Sequence, residues 1–149
     1  SAALREALGR DFALVPGPSR LGPAVTAELH DRGALLLVEP AAGGAGDAVE
    51  TSWLMPRAGA FDGVRALDGA WLEQTLAGSG AILDYQHGVG EVLAALHGGR
   101  AEAAILIRPT SLGEIERTAR EGLLMPPKST FFTPKLRTGL VVRDLRTPD

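Results

Sequence analysis

The chain has 149 residues, 45% of them apolar and 22% charged, with a net charge of −3. That is enough for one globular domain to form a core without staples. The acidic balance gives no drive toward nucleic acid, no apolar run approaches the roughly 20 residues of a membrane span, and the lack of cysteine removes disulfides, thiolate catalysis and cysteine zinc sites. No secretory leader is visible, so a cytoplasmic location is expected.

Nineteen glycines and ten prolines predict short elements and many turns. Residues 1–10 read as a helix with Leu4 and Leu8 on one face, and residues 12–15 as a short strand or loop stopped at Pro16. Residues 23–32 place Val25 and Leu29 four apart, a helix ended by Gly33. Residues 34–39 form an apolar run and residues 49–55 a second one. With the glycine-rich 41–48 between them, they predict a hairpin with a long tip. Asp68 is placed to cap a helix carrying Trp71, Leu72, Thr75 and Leu76.

Residues 81–85 read as a strand. Val89, Val92, Leu93 and Leu96 lie on one helical face, and residues 103–107 read as another strand. Together, residues 81–107 predict a βαβ unit with parallel strands. Ser111 and Glu114 form a capping box for a helix with Leu112, Ile115 and Ala119 inward. Residues 140–142 predict a last strand. The expected fold is α+β: a mixed sheet of five or six strands, with four or five helices packed on it.

Two nucleotide motifs are approached and missed. Residues 122–129 resemble a phosphate loop, but Pro127 stands where glycine is needed and brings no N–H. Gly88-Val89-Gly90 opens a helix, but Leu93 replaces the third glycine, and Arg108 follows the next strand where an acid should hold the ribose. His30, His87 and His97 lack the spacing of a helical metal pair, so no metal is expected. His87, at the mouth of the turn before Glu91, is a candidate site residue whose bland alternative is a packing role.

The stretch from Met125 to Lys135 is the most distinctive. Pro126, Pro127 and Pro134 hold it extended, and Lys128, Ser129, Thr130, Thr133 and Lys135 crowd it with cations and hydroxyls. A stiff backbone lowers the ordering cost of binding, and such groups suit phosphate or carboxylate. The alternative is a rigid loop pinning the last strand. Residues 126–149 hold five cations against two anions, which makes that end +3 and the rest −6.

The run MPPKSTFFTPKLRTGLVVR resembles the C-terminal signature of the domain-of-unknown-function-1015 family of bacterial and archaeal proteins. Leu83-Asp84-Tyr85-Gln86-His87, the strand at 103–107 and Pro109-Thr110-Ser111 also fit that pattern, so the specific resemblance covers about residues 81–145. Members are usually longer and carry a central Asp-Gly-His-His-Arg motif, reminiscent of ParB-type proteins and free-serine kinases. This sequence lacks it. The resemblance therefore implies a single domain over 1–149 that is the C-terminal part of a longer protein. It carries over Pro126, Pro127, Lys128, Ser129, Thr130, Phe132, Pro134, Lys135 and Gly139, with His87.

The expected function is a binding half-site for a phosphate-bearing small molecule. Lys128, Ser129, Thr130, Lys135 and His87 would be the ligand groups, and the N-terminal domain of the same protein would complete the site. Pro126, Pro127, Phe132, Pro134 and Gly139 shape the segment. One rival is a docking domain for that N-terminal half or for a homodimer. Another is part of a ParB-like or serine-kinase-like phosphotransferase, although no convincing general base stands out and the sequence points to no cofactor.

Overall fold

The computed structural model describes residues 2–41 and 48–125. The elements run α1 (Ala2–Asp11), β1 (Phe12–Pro16), α2 (Val25–Arg32), β2 (Leu35–Pro40), β3 (Val49–Pro56), α3 (Asp68–Leu76), α4 (Val89–His97), β4 (Ala104–Leu106) and α5 (Leu112–Arg120). The fold is α+β. Its sheet has the order β1-β3-β2-β4, and every neighbouring pair is antiparallel.

Strand periodicity decides the layers, because alternate side chains face opposite sides. Leu35 and Leu37 of β2, Leu54 of β3 and Phe12 of β1 join Ala7 and Leu8 of α1 and Leu72 and Leu76 of α3. Leu36 and Val38 of β2, Trp53 of β3 and Leu106 of β4 join Val25 and Leu29 of α2 and Leu96 of α4. The sheet is thus covered on both faces, by α1 and α3 on one and by α2 and α4 on the other. This explains why β2 reads as an unbroken apolar run: residues 34–38 are fully buried. Its charged end is satisfied from α1, where Arg5 Nε donates to Glu39 at 2.7 Å.

Several predicted elements form as expected. Gly33 ends α2 with a φ of 60°, a left-handed conformation that glycine adopts without a Cβ penalty. The β2–β3 hairpin pairs from Leu35↔Leu54 to Pro40↔Val49. Ser111 caps α5 by accepting from the Glu114 N–H at 3.2 Å.

The sheet differs from expectation. Among the described residues it has four strands rather than five or six, and it is antiparallel rather than mixed. The βαβ unit predicted over 81–107 does not form. Residues 81–85 make no strand, Ile82 is 96% exposed, and β4 runs antiparallel to β2. An apolar run becomes a strand only beside a partner, and β2 already has β3 and β4 on its two sides. A crossover does exist elsewhere. β1 and β2 are both antiparallel to β3, so they point the same way, with α2 joining them across the intervening strand.

Asp68 does not act as a cap. It is the first residue of α3, and its carboxylate is used elsewhere. The inward face of α5 is also shifted from the expected one. Leu112 and Ala119 are exposed, and Thr118 is buried, donating to the Glu114 carbonyl and accepting from Arg65 Nη2 at 2.6 Å. The strand predicted at 140–142 lies outside the described residues.

Candidate functional site

The open side of β4 forms the floor of a cleft of about 470 Å³. α2 supplies one wall through Val25, Thr26 and Leu29. The start of α4 supplies another through Gln86, His87 and Val89, and the turn into α5 closes the end through Arg108, Thr110 and Ile115. The volume falls in the range of small-molecule sites, and the lining has their usual character, apolar with a few polar groups.

Local sequence explains this arrangement. Pro109 holds Arg108 extended, so the chain leaves β4 straight and turns only at the Ser111 cap. Gly88 begins α4 with a φ of 91°, and a Cβ there would lie 2.8 Å from Glu91 Oε2. Glu91 therefore folds back over the start of its own helix, where a carboxylate suits the positive end of the helix dipole.

Arg108 is a tightly held polar group of the cleft. Its backbone N–H donates to Asp68 Oδ2 at 2.8 Å, and Nη2 and Nε donate to Asp68 Oδ1 at 2.5 and 3.0 Å. The Asp68 side chain is 5% exposed and that of Arg108 is 22% exposed. The guanidinium carbon also stands 5.1 Å from the ring centroid of Trp71. Trp71 in turn stacks on Phe61 with centroids 4.8 Å apart, and Phe61 meets Phe12 at 5.1 Å. A chain of aromatic rings thus joins the cleft to the core beneath α1. Among the described residues, Arg108 Nη1 makes no hydrogen bond.

A smaller recess of about 150 Å³ shares residues 108–110 with the cleft and adds His30, Asp68, Ser111 and Glu114. Among the described residues, no group of three or more His, Cys, Asp or Glu is placed to hold a metal ion.

Of the ligand groups expected from sequence, His87 lines the cleft. Lys128, Ser129, Thr130 and Lys135 lie outside the described residues, as do Pro126, Pro127, Phe132, Pro134 and Gly139. The Asp68–Arg108 pair was missed. Its members are 40 residues apart on elements that meet only in the folded chain, and the sole signal was a charged residue ending an apolar run before Pro109.

Tyr85, just before this wall, has its phenol pushed above the ordinary 10.0, first by burial and then by the nearby Glu73 charge. No helix among the described residues is long and apolar enough to cross a membrane. The chain matches no family model, no curated protein and no solved structure.

Proposed function

We propose that this domain binds a phosphate-bearing small molecule, with the apolar body of the ligand in the cleft over β4. From sequence, Lys128, Ser129, Thr130 and Lys135 are the groups for its phosphate, with His87. One observation carries the reading: His87, chosen from sequence as a member of an anion-binding set, lines an apolar cleft of ligand size. The basic stretch at 128–135 supplies the charge that Arg108, paired to Asp68, does not.

The resemblance to the domain-of-unknown-function-1015 family supports the same reading and assigns the remainder of the site to an N-terminal half. Phosphoryl transfer, with lysine stabilising developing charge, is the catalytic extension of this proposal. A second reading, docking of that N-terminal half or of a second copy, is favoured by the exposure of Ile82 (96%), Leu112 (76%) and Leu124 (91%).

A thermal-shift titration of the 149-residue chain with ATP, ADP, CTP, phosphoserine and inorganic phosphate separates the two. A ligand that binds only the folded state raises the midpoint. The binding reading expects a rise that is lost in Lys128→Ala and in Val92→Trp, which fills the cleft. Docking expects no rise, and a sedimentation coefficient that falls towards that of a monomer when Ile82 and Leu124 are replaced by serine.

A further inference from the structure

The two long walls of the cleft differ in how they are packed. On one, Val25, Leu29, Val89 and Val92 belong to the apolar cluster that α2 and α4 form over the sheet. On the other, Leu112 and Ile115 lie one helical turn apart on α5. Among the described residues, neither of these two packs against a core cluster. The inward contact of α5 is polar instead, from buried Thr118 to Arg65. The cleft is therefore a gap between the core and the apolar side of α5, and an apolar occupant would join the two.

Both walls are aliphatic. Among the described residues that line the cleft, none is Phe, Tyr or Trp. The rings lie elsewhere: Phe12, Phe61 and Trp71 pack on one another, and Trp53 is buried beneath Arg32. A nucleobase or other planar ring is commonly held by stacking on an aromatic face, and these walls offer none. Four of the six wall residues, Val25, Val89, Val92 and Ile115, are β-branched and stiff at χ1, so the walls keep their shape. An alkyl chain needs no directional partner and gains by buried area alone.

We infer that the cleft selects an aliphatic chain, the alkyl or acyl part of a small amphiphile, over a nucleobase or other planar ring. The chain lies between the α2–α4 cluster and Leu112 and Ile115, and it docks α5 onto the core. This rests on the ligand-binding reading above and names the apolar body of its ligand.

1-Octanol and 2-naphthol, which are of similar apolarity, and their phosphate monoesters test this on the 149-residue chain, with affinities read by ligand-observed NMR. 1-Octanol is expected to bind about tenfold more tightly than 2-naphthol, within the worth of the stacking partner that the planar ring lacks. The same order is expected of the two esters. Affinity should rise by up to about fourfold for each methylene from 1-butanol to 1-octanol. Amide exchange in α5 should slow when 1-octanol is bound. Leu112→Ser should weaken 1-octanol binding about threefold, whereas Leu112→Phe, which supplies a ring, should narrow the preference over 2-naphthol. Leu112 is exposed, so both variants keep the fold, which circular dichroism checks.

2-Naphthol binding as tightly as 1-octanol, or the two esters binding alike, overturns the inference. So does 1-octanol binding that leaves exchange in α5 unchanged or is indifferent to Leu112→Ser, and so does failure of all four probes to bind. The phosphate reading fails separately, if octyl phosphate binds no more tightly than 1-octanol while 1-octanol is still preferred to 2-naphthol.

Discussion

The two sides of the sheet centre are built on different terms. At β2 and β3, each strand has a neighbour on both sides and helices on both faces, and Leu35, Leu36, Leu37 and Leu54 are completely buried. At β4, three residues pair with β2, and the far side opens on the cleft. The first region is held by apolar area, which needs no directional match. The second adds a few directional contacts to the packing of Leu106, Ile105 and Ile107: Asp68 with Arg108 just after the strand, and Arg65 with Thr118 and the Leu124 carbonyl around α5. An edge fastened by polar clips leaves room for a cleft, whereas a close-packed centre does not.

The largest effect is expected at the centre. Leu37→Ala should cost about 3 kcal/mol, the transfer loss plus an uncollapsed cavity, and lower the melting midpoint by roughly 10 °C. A loss below about 1 kcal/mol would mean that the centre yields like the edge, and the contrast would disappear.

The polar clip comes next. Asp68→Ala leaves the Arg108 guanidinium, 22% exposed, without its carboxylate. It should cost about 2 to 3 kcal/mol in urea unfolding, less than for a fully buried pair because water still reaches the arginine. Asp68→Ala with Arg108→Met should recover most of that loss, because no buried charge is then left unpaired.

Surface positions of the edge should matter least for folding. Leu112→Ser changes a side chain that is 76% exposed at the cleft mouth, so unfolding should shift by less than about 0.5 kcal/mol. Any fall in the affinity of a phosphate-bearing ligand of the cleft then reports the cleft alone.

Tyr85 is the sole tyrosine, so absorbance at 295 nm follows it without interference from another phenol. Its midpoint should lie above 10.0, and Glu73→Gln should lower it. The raised value means that the folded state holds the phenolic proton more firmly than the unfolded chain does. This contribution to stability is complete below pH 10 and is lost as pH rises through the folded midpoint.

Legibility in the sequence follows the same division. The β2–β3 hairpin could be read because a run such as Leu35-Leu36-Leu37-Val38 states its burial by composition alone. α2 could be read because Val25, Leu29 and the terminating Gly33 are local signals. Residues 81–85 were misread because apolar character does not name a partner, and here the segment pairs with neither sheet edge and leaves Ile82 exposed. α5 was misread at Leu112 because helical spacing marks a face without saying what lies opposite it. For the candidate site, His87 was legible from its place before a helix, whereas Arg108 was read only as the wrong residue for a nucleotide ribose.

The sequence by itself determined the elements whose causes are local: where helices stop, which strand is buried on both faces, and how β2 turns back through a hairpin. Tertiary structure alone decided the order β1-β3-β2-β4, the antiparallel setting of β4, and the meeting of Asp68 with Arg108 against Trp71. The physical reason is range. Capping, turn geometry and hydrophobic period act over a few residues, whereas pairing across 40 residues depends on which surfaces remain uncovered after the local elements have packed.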